Sequence, residues 1–324
     1  MRLQVKNPMS QQPASDLHGK VVLVTGGSRG FGLLLARDFA REGCPIAICA
    51  RDERELADGA QQLRLDGATV FTIQCDVSDQ RAVERMIAEV TRDYGHIDVL
   101  VNNAGIIQVG PLGSQTVDDF REAMDVMFWG NLYPSLAVLP KMQARGDGSI
   151  VNITSIGGKI SVPHLLPYGC AKFAAVGLSE GLRAEVARDG VRVTTVVPGL
   201  MRTGSQGNAY FKGNQEEEYP IFALGATLPF VSMDAEHAAS QVVQATKRGE
   251  AEIVLGTPAT IAVRIHGLLP GVVADLLGLV NRLLPASDGS TNRVKGRDVR
   301  GAADSTIFQT LISLGKSAAK RFNE

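Results

Sequence analysis

Tyr168 and Lys172 stand four residues apart in the run Tyr168-Gly169-Cys170-Ala171-Lys172, and Ser155 precedes the tyrosine by thirteen positions, just after an apolar run. On a helix, positions i and i+4 share a face, so a phenol and an ammonium at this spacing point into one cleft. A free phenol, with a pKa of about 10, is a poor proton donor or acceptor at neutral pH. A neighbouring cation favours the phenolate and draws that pKa toward the range useful for general acid–base chemistry. Such a pair also arises by chance on helix surfaces. Its weight comes from what precedes it in the chain.

The run Thr25-Gly26-Gly27-Ser28-Arg29-Gly30-Phe31-Gly32 follows an earlier apolar segment. Gly26, Gly30 and Gly32 permit a tight turn and a close approach of backbone to a pyrophosphate at a helix N-terminus, with Ser28, Arg29 and Phe31 in the same loop. Gly26-x-x-x-Gly30-x-Gly32 is a variant of the G-x-G-x-x-G fingerprint, and alone it could be any glycine-rich turn. A second apolar run ends in Ala50-Arg51-Asp52. An acidic residue at that strand end would bond the ribose 2′-hydroxyl of NAD, whereas arginine accommodates the 2′-phosphate of NADP. Ala50 occupies the place of the acid and Arg51 follows, with Arg29 as a second phosphate contact, so NADPH is expected over NADH. The bland alternative is a solvated Arg51 paired with Asp52 or Glu55. Asp76-Val77, after a third run, would meet the adenine, unless Asp76 only caps the helix starting near Asp79. A fourth run ends in Asn102-Asn103-Ala104-Gly105.

The elements that must position these residues are six short β-branched runs alternating with helical patterns: Val21–Thr25, Ile46–Ala50, Val70–Cys75, Val99–Asn102, Ile150–Thr154 and Val193–Val197. A seventh is Glu252–Leu255. Most are apolar throughout, as parallel strands buried on both faces would be. Gly43, Gly67, Gly95, Gly146, Gly190 and Gly249 close helical patterns, as glycine does at helix ends. The pattern predicts an α/β fold with a doubly wound, Rossmann-type, mostly parallel seven-stranded sheet and helices on both faces. Pro134 and Pro140 predict a kink or break within Val117–Arg145, and Pro167 is placed to start a helix running to about Asp189.

Composition narrows the class. The chain has 324 residues, a net charge of -1 and 35 glycines, roughly a dozen above average usage. The glycines show no G-X-Y period, and the balanced charge gives no footprint for nucleic acid. Cys44, Cys49, Cys75 and Cys170 lack metal or C-x-x-C spacing and read as buried, reduced thiols, which favours a cytoplasmic protein. His96, His164, His237 and His266 have no metal-like spacing, so no metal is expected. Residues 1–15 read as a flexible arm, 16–256 as the catalytic domain and 257–324 as a C-terminal helical extension.

Taken in order, the glycine loop, Ser155 and the Tyr168/Lys172 pair resemble the short-chain dehydrogenase/reductase family, over about Asp16 to Gly256. The resemblance implies that Tyr168 exchanges a proton with the substrate oxygen and that Lys172 binds the nicotinamide ribose and lowers the tyrosine pKa. It implies that Ser155 hydrogen-bonds the reacting oxygen, that Asn131 holds a water in the proton relay, and that Asn102 and Gly105 support the sheet and the adenine-side ribose. Pro198, Gly199 and Thr203 match the family segment that contacts the nicotinamide carboxamide. Taken singly, Asn131 reads as a helix-distorting residue and Ser155 as a turn residue. The implied activity is an NADP-dependent oxidoreduction of a small-molecule carbonyl or secondary alcohol. An epimerase or dehydratase of the same fold, or an NADP sensor acting through its tail, remain alternatives. The helices near 117–145 and 167–189 resemble the family's subunit contacts and imply a homodimer or homotetramer.

Gly204–Val231 should be a lid. Its Tyr210, Phe211, Tyr219, Phe222 and Phe230 either wall an apolar substrate or pack against the protein's own tail. The apolar segments Pro258–Leu269 and Gly271–Leu284 could cover the cleft, meet another subunit or touch a membrane surface. Another helix is expected at Thr306–Phe322.

Overall fold

A computed structural model describes residues 15–228, 232–299 and 321–324. The expected arm lies outside these residues except for Ser15. So do Phe230 and nearly all of the helix expected at Thr306–Phe322.

Seven parallel strands form the main sheet: β1 (Val22–Thr25), β2 (Ile46–Ala50), β3 (Val70–Gln74), β4 (Val99–Asn102), β5 (Gly148–Ile153), β6 (Val191–Pro198) and β7 (Glu252–Leu255). Their spatial order is β7-β6-β5-β4-β1-β2-β3, with every pairing parallel. The order reverses between β1 and β4, which places a crevice at their carboxyl ends. Successive side chains of a strand point to opposite faces. Val22 and Val24 accordingly join one core with helices α1 (Gly30–Arg41), α2 (Glu53–Leu65) and α8 (Ala235–Arg248). Val21 and Leu23 join the other, with α3 (Gln80–Tyr94), α5 (Gly130–Arg145) and α6 (Leu166–Glu185). The outermost strands, β3 and β7, are the most exposed, as edge strands with one neighbour are, while the inner strands are buried but for Ala50 and Arg192.

All six helix-ending glycines have positive φ, between 62° and 88°. The expected distortion between residues 117 and 145 lies upstream of both prolines. Helix α4 (Val117–Met124) passes into a π-turn at Asp125–Trp129 and then into α5, which carries Pro134 and Pro140 internally. Pro134 has no N–H for the carbonyl one turn back, and the widened turn lies just upstream of it. Cys44, Cys49 and Cys75 are buried free thiols, whereas Cys170 is exposed on α6, so the expectation of burial fails for that one.

Beyond the sheet, α9 (Thr257–Leu268) and α10 (Pro270–Asn281) meet at a 119° bend. Ala259 is the only buried residue of α9, and α10 has none. Among the described residues no single helix is long and apolar enough to cross a membrane. A small three-stranded sheet ties Gln108–Val109 and Val294–Lys295 to Tyr210–Phe211 of the lid.

Candidate active site

The glycine loop between β1 and α1 is held by close approach. Gly26 has φ 62°, and a Cβ on it would lie 2.9 Å from the Ala104 Cα. A Cβ on Gly32 would meet the Gly26 carbonyl oxygen at 2.1 Å, so the first turn of α1 lies directly against the loop. Asn103 straps this arrangement to β4, its Nδ2 donating to the carbonyls of Thr25 (3.0 Å) and Gly26 (3.1 Å). The Thr25 hydroxyl accepts from the backbone amides of Asn103 and Ala104. Ser28 and Phe31 are buried, and the Phe31 ring belongs to the core, so only its backbone faces the loop. The result is a concave run of backbone at a helix N-terminus, a fit for a dinucleotide pyrophosphate.

At the end of β2, Asp52 caps α2 by accepting from the amides of Arg54 and Glu55, and Glu55 lies 3.5 Å from the Arg29 guanidinium. Both partners of the bland reading are engaged elsewhere, and exposed Arg51 makes no ion pair among the described residues. Asp76 does not cap α3; Asp79 does, while Asp76 accepts from the amide and hydroxyl of Ser78. Val77 is buried and would press on Gly130 were a Cβ there. Gly105 is exposed, with ordinary room for a side chain.

Ser155, at the end of β5, accepts from the Gly157 amide at 3.0 Å and hydrogen-bonds Tyr168 on α6. Burial raises the Tyr168 pKa above the ordinary phenol value, and the Ser155 hydroxyl pulls it partly back. Lys172 Nζ donates to the Ile153 carbonyl at 2.9 Å and sits 5.8 Å from the Tyr168 ring centroid; burial lowers its pKa to about 8. The expectation that Lys172 lowers the tyrosine pKa is therefore not met in this cluster. Desolvation raises the phenol, and the Ser155 hydroxyl supplies the lowering. A Cβ on Gly158 would lie 2.6 Å from the Lys172 carbonyl, so glycine there lets α6 close on the Ser155 turn.

Asn131 follows the π-turn in α5. Its carbonyl accepts from Asn102 Nδ2 at 3.2 Å and the Ser135 hydroxyl at 2.6 Å, while its own buried Nδ2 has no partner among the described residues. A buried donor left open in this way suits a water or ligand. Behind it runs a polar chain that single-residue reading missed: Asn102 to Asn152, Asn152 to Ser179, and Thr195 to Ser179, at 2.7–3.0 Å. Asn102, Asn152 and Thr195 are register partners across β4, β5 and β6. The available signal was a polar residue at the same depth of three apolar runs.

Pro198 ends β6, and Gly199 donates to the Leu255 carbonyl; a Cβ on it would press on Ala259 of α9. Buried Thr203 accepts from the Ser205 amide at 3.2 Å. The lid carries α7 (Gln215–Thr227). Its Phe211 is wholly buried and meets Tyr219 and Phe222 edge-on, with Val299 alongside. These rings pack mostly on one another and on Ile107, Val109 and Leu165, with Val299 of the extension at their edge, while Tyr210 is covered by Arg293. A buried Lys212–Asp119 ion pair and a buried His164–Glu218 hydrogen bond, both at 2.6 Å, pin the segment expected as a lid. His164, which spacing alone marked as ordinary, takes a left-handed φ of 63°. A cleft of about 570 Å³ lies beside α6 and α10, lined by Pro111, Leu112, Val162, Leu166, Leu277 and Leu284 among others.

Residues 20–212 match the short chain dehydrogenase family. A dehydrogenase/reductase SDR family protein 7-like of Anopheles gambiae is 35% identical over 251 residues, covering 76% of this chain and 77% of the relative. A crystal structure of a short-chain dehydrogenase from Streptomyces avermitilis superposes with a TM-score of 0.70 at 33% identity, covering 82% of this chain and 97% of that one. An actinorhodin polyketide ketoreductase variant solved with NADPH gives a TM-score of 0.66 at 28% identity, covering 74% and 97%. The chain belongs to the short-chain dehydrogenase/reductase family, whose members are oxidoreductases that bind a nicotinamide cofactor and act on small molecules.

Proposed function

We propose that the chain is an NADP-dependent oxidoreductase interconverting a carbonyl and a secondary alcohol on a bulky or apolar substrate. The observation that carries this reading is the Ser155–Tyr168–Lys172 cluster at the same carboxyl edge of the sheet as the glycine cradle.

Bound NADPH supplies the hydride, and the protein supplies orientation and proton transfer. Tyr168 donates its proton to the carbonyl oxygen during reduction, or takes it from the alcohol in reverse. Burial keeps that proton on the phenol at neutral pH, which favours its service as an acid. Ser155 hydrogen-bonds the reacting oxygen while holding the tyrosine hydroxyl in line. Lys172 engages the ribose hydroxyls, and the open Asn131 amide holds a water in the relay.

Gly26, Gly30 and Gly32 admit the pyrophosphate, and the amides of Ser28, Arg29 and Phe31 face it. Ala104 and Gly105 border the adenine-side ribose, Asp76 and Val77 the adenine, and Pro198, Gly199 and Thr203 the carboxamide. The unpaired Arg51 side chain supports a 2′-phosphate, hence NADP. The apolar lining of the cleft beside Leu166 supports the substrate class. Exposed Trp129, Leu136 and Phe173, on the faces of α5 and α6 and the turn before them, support a homodimer or homotetramer.

A panel of ketones and alcohols with NADPH and NADH tests the reading. Reduction of hydrophobic ketones with NADPH is expected; better turnover of small polar ketones, or of NADH, would overturn the substrate or cofactor assignment.

A further inference from the structure

The N-terminus of α1 lacks a capping side chain and has no acidic residue in its first turn, whereas Asp52, Asp79 and Asp234 cap α2, α3 and α8. Residues 321–324 occupy that end. The Gly30 amide donates to the Phe322 carbonyl at 2.7 Å, and the Phe322 ring is buried in the core that α1 and α8 share. Asn323, at φ 59°, turns the backbone so that its Nδ2 donates to the carbonyls of Ser28 (3.0 Å) and Glu55 (3.2 Å). Arg321 pairs with Glu236 at 2.6 Å, fixing the approach.

Glu324 then reaches into the cradle itself. One carboxylate oxygen fills the space over Gly30, 2.1 Å from where a Cβ would be. The other accepts from Asn208 of the lid at 2.6 Å and lies 3.8 Å from the Arg29 guanidinium. The side chain is only 8% exposed. One carboxylate therefore bridges the glycine loop and the lid, the two walls between which a pyrophosphate would lie. Burial pushes the Glu324 carboxyl above its ordinary pKa, so desolvation is only partly repaid by Arg29 and Asn208.

We propose that the segment Phe322–Glu324 is an internal competitor of the dinucleotide, its carboxylate standing where the pyrophosphate binds and leaving when the nucleotide enters. This rests on the NADP reading of the glycine loop. Two anions over the same glycine and beside the same arginine repel each other at contact distance, so both cannot stay. Apparent nucleotide affinity then equals the intrinsic affinity reduced by the fraction of molecules in which the segment is lifted. The Phe322 ring can stay in the core as the anchor while its carbonyl releases the Gly30 amide and the Asn323 and Glu324 side chains swing away.

The test is calorimetric titration of the full chain with NADPH, and separately with 2′,5′-ADP, for wild type, Glu324→Gln, and Asn323→Ala with Glu324→Ala. Phe322 is untouched in each, which keeps the core contact. The expected result is an NADPH Kd lowered by about fivefold or more in Glu324→Gln, and further in the double variant, in the range of ordinary site-to-site coupling. KM for NADPH falls in step while kcat holds. A gain for NADPH with no gain for 2′,5′-ADP, which lacks the nicotinamide half and the full pyrophosphate, places the competition at the pyrophosphate. An unchanged Kd in both variants removes the competitor and leaves the NADP reading standing. A weaker Kd overturns it by making the segment a clasp that holds the nucleotide. If no form of the chain binds NADPH, the inference falls together with the reading on which it rests.

Discussion

Two regions of the molecule invert the usual partition of residues. In the middle of the sheet Asn102, Asn152 and Thr195 are buried, while Leu268, Leu269, Val272, Leu276 and Leu283 of the extension are each more than half exposed. A buried polar group and an exposed apolar patch are the informative departures in a globular protein. The first departure is bonded into the structure, with the Asn102 Oδ1 left without a partner among the described residues. Its amides and hydroxyls bond one another across three strands and two helices, and its near end holds Asn131 beside the active-site turn. The second has no partner among the described residues. One inversion therefore belongs to the architecture of the site, and the other to a surface that contributes little to folding.

Four experiments break or sharpen that contrast. The largest effect is expected at Lys172, next to the buried polar region. Because burial lowers its pKa to about 8, Lys172 is charged below that pH and neutral above it, so reduction should slow as pH rises through about 8. Lys172→Met should lose about 10²–10⁴-fold in rate and lose that basic limb, a general acid–base magnitude; a retained limb near pH 8 would assign it to another group. Next, Asn152→Ala strands the Asn102 and Ser179 groups and should cost about 1–3 kcal/mol in a denaturant melt. A loss below about 0.5 kcal/mol would mean that the chain of hydrogen bonds is not structural.

Arg51→Ala should cut NADPH affinity by about tenfold or more and leave NADH unchanged, as removal of one charge-assisted contact does. An unaltered NADPH/NADH ratio takes Arg51 out of the site. The smallest effect is expected on the extension. Leu268→Lys, Val272→Lys and Leu276→Lys should each shift stability by less than about 0.5 kcal/mol. Leu23→Ala, in the fully buried core, should cost about 2–5 kcal/mol. A comparable loss from the lysine variants would show that the extension is covered in solution.

The sheet was legible because parallel strands buried on both faces must be apolar throughout, and glycine must end helices that turn back into them. β2, β4 and β7 match their expected bounds to the residue, while β5 starts two residues early and stops one short of Thr154, and β6 extends at both ends, through less apolar residues such as Gly148 and Arg192. The π-turn was harder to read. Prolines announce a distortion, but which turn yields depends on the packing of α4 and α5. In the site, the meeting of Ser155, Tyr168 and Lys172 in one cluster was readable and their electrostatics were not. The i+4 spacing brought Lys172 to Tyr168, but burial, invisible in sequence, reversed the expected pKa direction. Glu324 gave no signal either, since its partners Arg29 and Asn208 lie hundreds or more than a hundred positions away.

The central claim is that the Tyr168 hydroxyl transfers the proton in a carbonyl/alcohol oxidoreduction. Its most direct test is Tyr168→Phe, measured for both NADPH binding and turnover of the best ketone substrate. The predicted result is a rate lowered by about 10²–10⁴-fold with NADPH affinity retained. Turnover within tenfold of wild type would contradict it.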